Sequence, residues 1–290
     1  MPAGPGDFLF GIFLAGVGCL TRINKYRAEK GLIPVFIDKD LSAAAARHTS
    51  DMANHPWVYK TPGRDAHKGS DDSTPGVRIV EAAGAGGWVP ENNRTGEILY
   101  WGGAYLKSDA PMNWWLQSPG HEALIREPDF THMGFSASHN GTADEWVYGV
   151  TFARSPVRPL HSKFSDKVLD VEGISNVDGA KVQIWDYWGG GNQRWRMEPV
   201  GDGYVRLIAQ HVDKVMDVEG ISTAQGARLH QWKWWGGDNQ RFLPEVYGGT
   251  HIKLTAKHSG KVLEVESDVL GAPVYQGGWV DGHSRQLWRF

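Results

Sequence analysis

The C-terminal half of the chain repeats one sequence three times. Two copies begin with KV-x-DVEGIS at Lys167 and Lys214, and a more divergent copy begins with KVLEVE at Lys261. These starting positions, 167, 214 and 261, lie 47 residues apart. A constant period of this size indicates one supersecondary unit stacked on copies of itself. Because one such unit cannot bury its own apolar face, the three copies must share a core.

Short apolar runs in each copy alternate with Gly, Asp and Asn, which predicts short strands joined by turns. In the first copy, Val168–Val171 is one strand signal and Val182–Trp185 is another, with apolar and polar residues alternating in the second. Three such copies predict a small all-β domain that closes on itself.

The motif order within the copies resembles the ricin-type (R-type) lectin family, whose fold is a β-trefoil. The matching motifs are LDV, then GA-x-V-Q-x-W, then GG-x-NQ-x-W, and the resemblance covers about residues 156–290. In that family the Gln-x-Trp residues are mainly structural, so we expect their counterparts here to lie in the core. These counterparts are Gln193, Trp195, Gln240, Phe242, Gln286 and Trp288.

The same resemblance implies a sugar site made of a carboxylate, an aromatic ring and an amide. The matching residues of the first copy are Asp170, Gln183, Trp185 and Asn192. Those of the second copy are Asp217, His230, Trp232 and Asn239. The third copy has Glu264, Tyr275, Gly277 and Ser284 at these places. Because the third copy lacks the stacking ring and the amide, we expect two working sites and one inactive one.

The chemistry of these residues suits a sugar. An indole covers the apolar C–H patch of a sugar ring, and a carboxylate accepts charge-assisted hydrogen bonds from its hydroxyls. Three or four hydrogen bonds of about 0.5–1.5 kcal/mol each correspond to a dissociation constant of roughly millimolar or somewhat tighter. The alternative is a trefoil that keeps its Asp and Trp residues for packing alone.

Charge and cysteine content restrict the function further. The chain has 290 residues, enough for two ordinary domains, and a net charge of −3. No basic run is longer than two residues, so nothing indicates nucleic acid or an anionic membrane as a partner. Cys19 is the only cysteine, which excludes an intrachain disulfide and favours a bacterial over a typical eukaryotic secreted protein.

The apolar stretch from Phe8 to Leu20 is shorter than the ~20 residues that a membrane span needs. It also lacks a positively charged segment before it, since Asp7 precedes it. We expect this stretch to begin a buried first helix; a signal peptide is the alternative.

Residues before about 154 predict helices first and strands last, which is typical of an α+β domain. Apolar residues from Leu41 to Met52 follow helical spacing with Asp40 as the expected N-cap. Ser73 or Thr74 before Pro75 opens a second helix that ends at Gly84, and Pro111 opens a third. Strands are predicted over 132–138 and 145–152, and RSPVRP (154–159) is the expected linker.

Six motifs in this part, in order, resemble the bacterial branch of the CAP superfamily over about residues 20–153. They include INKYRAEKGL (23–32), HKGSDDSTPGVRIVEAAG (67–84), GEILYWGG (96–103) and WLQSPGHEALI (115–125). The resemblance implies a three-layer αβα sandwich with an open cavity that carries histidines and glutamate. The matching residues are His67, Glu97 and His121, whereas Ser118 stands where a second glutamate occurs in eukaryotic members.

These cavity residues leave two interpretations open. Two neutral imidazoles, His67 and His121, can hold a divalent ion such as zinc, and Glu97 can then act as a general base on bound water. The other interpretation is a hydrogen-bonded polar cavity that braces helix against sheet. The remaining histidines (His48, His55, His132 and His139) are expected to be packing or surface groups.

The sequence thus predicts a CAP-like α+β domain over 1–155 and a ricin-type β-trefoil over 156–290. The first functional hypothesis is a secreted or cell-surface carbohydrate-binding protein, of bacterial type, whose trefoil directs the CAP domain to glycans or cell wall. The alternative is a metal-dependent hydrolase of a cell-wall polymer or peptide, with the trefoil as its targeting module. A CAP domain that binds an apolar ligand is a third reading, for which the sequence offers no distinct groove.

Overall fold

The computed structural model describes residues 5–84, 94–103, 109–141, 145–154 and 157–290, with side chains described from Gly16 onward. The chain divides into two compact units. One consists of residues 1–30 and 35–156, and the other of residues 31–34 and 157–290.

The N-terminal unit contains six helices and four strands among its described residues. The helices are α1 (Pro5–Glu29), α2 (Lys39–Asn54), α3 (Pro56–Tyr59), α4 (Pro75–Ala83), α5 (Asp109–Gln117) and α6 (Pro119–Ile125). The strands are β1 (Phe36–Ile37), β2 (Thr95–Gly102), β3 (Phe130–Asn140) and β4 (Glu145–Arg154). They form one sheet in the order β1-β3-β4-β2, in which only the β1–β3 pair is parallel.

Helices pack on both faces of this sheet, which confirms the expected αβα sandwich. On one face, α2 lies so close to β3 that a Cβ on Gly134 would be 2.0 Å from the carbonyl carbon of Leu41. On the other face, Gly16 of α1 packs against the ring of Phe135. Side chains thus alternate between two helical layers along β3, as expected for a strand buried on both faces.

The predicted helix starts are correct to within two residues. The N-cap of α2 is Asp38 rather than Asp40, since Oδ1 of Asp38 accepts from the backbone N–H groups of Asp40 (2.8 Å) and Leu41 (3.0 Å). Thr74 caps α4 as predicted, and Gly84 ends that helix with a φ of 67°, a conformation that favours glycine.

The first helix is confirmed over Pro5–Glu29, and Cys19, Leu20 and Ile23 are buried in it. The predicted burial of Phe8 and its neighbours falls on side chains before Gly16, which lie outside the described ones. In the part of the chain that the structure describes, no helix combines the length and apolarity that crossing a membrane requires.

The C-terminal unit contains twelve strands, four for each copy. The strands are β5 (His161–Ser162), β6 (Val168–Val171), β7 (Val182–Trp185), β8 (Trp195–Pro199), β9 (Val205–Ala209), β10 (Val215–Val218), β11 (Leu229–Trp232), β12 (Phe242–Tyr247), β13 (His251–Ala256), β14 (Val262–Val265), β15 (Val274–Gly277) and β16 (Trp288–Arg289). The bounds of β6 and β7 match the predicted strands. All pairings between these strands are antiparallel.

Three equivalent backbone contacts join the copies into a closed trefoil. Gly179 N–H donates to the carbonyl of Gln231, Gly226 N–H to that of Gln276, and Gly271 N–H to that of Ile184. Each copy therefore bonds to the next one, and the third bonds back to the first. The six predicted Gln-x-Trp core residues are all buried, which confirms their structural role.

Candidate functional sites

The four predicted site residues of the first copy surround one pocket. Asp170 on β6 lies directly opposite Gln183 on β7, and Trp185 follows two residues later on the same face. Asn192 comes from the short 3₁₀ helix Gly191–Gln193. These residues line a cavity of about 450 Å³.

Neighbouring amides hold the carboxylate of Asp170. Its Oδ1 accepts from Nε2 of Gln183 (3.1 Å), and its Oδ2 accepts from Nδ2 of Asn192 (2.9 Å). The residue is only 4% exposed, and this burial raises the pKa of its carboxyl, while the amide hydrogen bonds act in the opposite direction. The carboxylate is thus fixed in orientation at the pocket wall. Trp185, by contrast, is 38% exposed and offers apolar surface to the pocket.

The second copy repeats this arrangement with one change. Oδ1 of Asp217 accepts from Nδ2 of Asn239 (2.9 Å) and bonds Nε2 of His230 (3.0 Å). The imidazole of His230, in the place of the Gln183 amide, stacks on the ring of Trp232 at 5.3 Å between ring centroids. The cavity here is about 300 Å³.

Among the pocket residues that were not predicted, each pocket has two with large apolar side chains. They are Ile174 and Trp188 in the first copy, and Ile221 and Trp235 in the second. The signal available in the sequence was that an isoleucine and a tryptophan recur at these two places in the copies that keep the site residues, and not in the third.

The third copy closes the equivalent space with its own side chain. Oε2 of Glu264 accepts from Nε2 of Gln286 (2.8 Å), and a Cβ added to Gly277 would lie 2.0 Å from this oxygen. The longer Glu264 therefore occupies the place beside Gly277 where the other copies have an indole. The position of Asn192 is taken by Arg285 rather than by Ser284, because the 3₁₀ helix Ser284–Gln286 aligns with Gly191–Gln193.

In the N-terminal unit, Glu97 lies at the centre of a buried polar cluster. Its Oε2 bonds Nδ1 of His67 (3.0 Å), and its Oε1 accepts from Nη2 of Arg78 (2.9 Å). Nε2 of His48 lies 3.6 Å from Oε2. Arg78 and His48 were not predicted as members of this cluster; both are separated from Glu97 in sequence and reach it from α4 and α2.

His121 lies on α6 and contacts other partners. Its Nδ1 bonds Oγ of Ser118 (2.7 Å), and its ring lies 4.7 Å from the ring of Trp114. Burial and, to a smaller extent, the charge of His67 lower the pKa of His121. The structure therefore joins His67 to Glu97 directly, whereas the contacts of His121 are with Ser118 and Trp114.

The donors of this cluster do not form a ready metal centre. Within the described ranges, no group of three or more His, Cys, Asp or Glu side chains is placed to hold a metal ion. Both oxygens of Glu97 already have partners, one of them the guanidinium of Arg78. A cation beside this carboxylate would have to compete with the buried charge of Arg78.

Two family models match the chain. The model for the cysteine-rich secretory protein family, CAP, matches residues 20–152. The model for the ricin-type beta-trefoil lectin domain-like family matches residues 142–232 and 191–277. None of the curated protein sequences compared with the chain matches it.

Several solved structures are similar to the chain. The designed threefold-symmetric protein ThreeFoil is 45% identical, with 45% of this chain and 94% of that one covered, at a TM-score of 0.44. The agglutinin of Rhizoctonia solani is 18% identical, with 47% and 94% covered, at a TM-score of 0.42. An exo-beta-1,3-galactanase from Clostridium thermocellum is 21% identical at a TM-score of 0.45, and the match spans 55% of this chain but only 45% of the galactanase.

Proposed function

We propose that this chain, which joins a domain of the CAP family to a ricin-type β-trefoil lectin-like domain, binds carbohydrate through the first two trefoil copies. The observation that carries the proposal is the pairing, in each of two pockets, of an indole with a carboxylate held by side-chain amides or an imidazole. Asp170 and Trp185 form this pair in one pocket, and Asp217 and Trp232 in the other.

The surroundings of each carboxylate argue against a role in packing alone. The amides of Gln183 and Asn192 hold Asp170 beside the exposed indole of Trp185, whereas Glu264 of the third copy, also held by an amide, has Gly277 where the indole would stand. Carboxylate oxygens have several acceptor positions, so each can still accept from a sugar hydroxyl. The exposed indole beside it covers the apolar face of the same sugar ring.

Two weak sites on one unit suit a polymeric or multivalent ligand. When two sites engage one polysaccharide, the second binding event is intramolecular and gains effective concentration. Such a ligand is found outside cells and on their surfaces, so we propose an extracellular or cell-surface location for the chain. The trefoil would then hold the CAP-family domain close to glycans or cell wall.

Glycan-array binding of the Asp170→Ala/Asp217→Ala double variant tests the proposal. We expect the double variant to lose binding and each single variant to bind multivalent glycans more weakly. Glu264→Ala, which removes the third copy's carboxylate, serves as the matched control and should bind as the wild type does. Equal binding by the double variant and the wild type would refute the assignment of these sites.

The role of the CAP-family domain is a separate question. Because Glu97 accepts from Arg78 and bonds His67, we propose that this cluster braces α4 and the loop before it against β2. Metal binding and hydrolysis by His67, Glu97 and His121 stay predictions. Calorimetric titration with zinc would support them if a stoichiometric site were found in the wild type and lost in His67→Ala and His121→Ala.

A further inference from the structure

We propose that each of the two pockets has a second, apolar subsite that holds a neighbouring pyranose ring, so that each pocket binds a glycan of at least two rings. We call Trp188 and Ile174 the first outer subsite, and Trp235 and Ile221 the second. This inference rests on the proposed carbohydrate binding and extends it to the size of the ligand.

Exposed indoles are the first observation behind the outer subsites. Trp188 is 56% exposed and Trp235 is 52% exposed, although both border the pockets. Single exposed apolar residues are common on protein surfaces, but a half-exposed indole at the same place in two copies, beside a second indole, forms an apolar surface around a cavity. Such a surface is suited to a ligand with apolar faces.

These indoles are held in place. The backbone N–H of Trp188 donates to Oε1 of the buried Gln193 (2.9 Å), and that of Trp235 donates to Oε1 of Gln240 (3.0 Å). A Cβ on Gly190 would lie 2.3 Å from Cη2 of Trp188. Any larger residue at Gly190 would displace the ring, so the glycine allows the indole of Trp188 to lie against the backbone.

The isoleucines give independent support. Ile174 and Ile221 both have a φ of 54°, in the left-handed region that β-branched residues rarely adopt, and both are 54% exposed. Neither isoleucine side chain is buried in the core. Both line the pockets instead. Strained residues of this kind cluster at functional sites.

The third copy lacks both the second indole and the left-handed isoleucine, although it keeps the backbone contact and an exposed apolar residue, Val280. Asp268 takes the place of Ile174 and has no positive φ, and Val280 takes the place of Trp188, as its N–H donates to Oε1 of Gln286 (2.8 Å). The outer subsite is therefore present in the two copies that keep the carboxylate and the stacking indole, and absent where these are lost.

An unsatisfied acceptor lies at the same place. Nδ2 of Asn192 donates to Asp170 and to the carbonyl of Val171, but its buried Oδ1 has no hydrogen-bond donor. This oxygen and the Trp188 ring both lie next to Gly190. Oδ1 of Asn239 is likewise without a donor in the second copy. Because both oxygens are shielded from solvent, a hydroxyl of a bound sugar ring would supply the missing donor only after the adjacent indole shifts.

The cavity volumes fit a ligand of this size. The pockets enclose about 450 and 300 Å³, within the roughly 300–1,000 Å³ typical of sites for drug-sized molecules. The expected ligand class is a linear chain of pyranose rings in which neighbouring rings expose C–H faces, one to Trp185 or Trp232 and one to the outer subsite.

Calorimetric titration of the full chain with a monosaccharide and its di- and trisaccharides tests the inference. We expect the wild type to bind the disaccharide roughly tenfold more tightly than the monosaccharide, a gain of about 1.4 kcal/mol. Trp188→Ala/Trp235→Ala should lose this gain, so that the ratio of disaccharide to monosaccharide affinity falls from about ten to about one. Trp188→Phe/Trp235→Phe should keep part of the gain, and Val280→Ala, the matched change in the third copy, should keep all of it.

The titrations distinguish failure of the outer subsites from failure of carbohydrate binding itself. If the wild type binds the monosaccharide and the disaccharide equally, or if the double alanine variant keeps the gain, the outer subsites are refuted while carbohydrate binding stands. If the wild type binds none of the sugars on a broad array, the proposed function fails and the inference fails with it.

Discussion

Gly277 in the third copy gives a sharp test of how that copy is closed. A Cβ at this position would lie 2.0 Å from Oε2 of Glu264 and 3.1 Å from its carboxyl carbon. The Gly277→Ala variant must therefore push the Glu264 carboxylate away. The displaced group is a partly buried carboxylate that accepts from Nε2 of Gln286 at 2.8 Å.

The expected loss of stability follows from the lost hydrogen bond between Gln286 and Glu264. A hydrogen bond to a charged group contributes about 1.5–3 kcal/mol, so Gly277→Ala should reduce the free energy of unfolding of the trefoil by about that amount. Gln286 Nε2 has two N–H donors and keeps one acceptor, the carbonyl of Gly278 at 2.7 Å, so the variant leaves only the other N–H without its partner. In a Glu264→Ala background the clash is absent, since the next neighbour of the Cβ is Nε2 of Gln286 at 3.5 Å, so the same substitution should cost clearly less.

Hydrogen–deuterium exchange of the full chain, read peptide by peptide, separates the trefoil from the N-terminal unit and gives the free energy of opening of each. Gly278→Ala is the matched control. A Cβ at this position would have Oε1 of Gln225, at 3.9 Å, as its nearest contact apart from the adjacent residues. A double-mutant cycle should show a coupling of about 1.5–3 kcal/mol between residues 264 and 277. Equal costs of Gly277→Ala in both backgrounds would refute the account of the third copy.

Three further predictions concern charged groups. Arg78→Met leaves Glu97 buried without its cation and should reduce the free energy of unfolding of the N-terminal unit by about 3–5 kcal/mol, as measured by urea denaturation. A reduction below about 1 kcal/mol would contradict this prediction. Burial lowers the pKa of His48 from its usual 6.5, so protonation opposes folding and stability falls as the pH drops below that value. Thermal unfolding at about pH 5 and pH 7.5 should show this dependence, and His48→Gln should reduce it. Burial raises the pKa of Asp170, so in an Asp217→Ala background calorimetric sugar binding should weaken as the pH falls toward that raised pKa, whereas pH-independent binding would show that the carboxylate is not used.

The trefoil and its two pockets could be predicted because the same sequence motifs occur in successive copies. A period of 47 residues fixes which positions are equivalent, so strands predicted in one copy hold in the others. The partners of Asp170 were also predictable, since Gln183 and Asn192 lie at the site positions of the motif that the first copy matches. Their hydrogen bonds to the carboxylate confirm that these residues meet.

Features that depend on exposure or on distant pairing could not be predicted. The sequence shows a Trp at 188 but not that more than half of this residue remains exposed beside a cavity. Ile174 gives no sign of its left-handed backbone, because that conformation is imposed by the surrounding turn. Arg78 reaches Glu97 only once α4 packs near β2, a tertiary contact that local patterns do not encode.

The number of sugar molecules bound by one chain tests the central claim most directly. Native mass spectrometry or calorimetry with a binding monosaccharide should give two sites per wild-type chain, one in Asp170→Ala and in Asp217→Ala, and none in the double variant. A count that stays at two in the double variant, or a third site that is lost in Glu264→Ala, would contradict the assignment of the pockets to the first two copies.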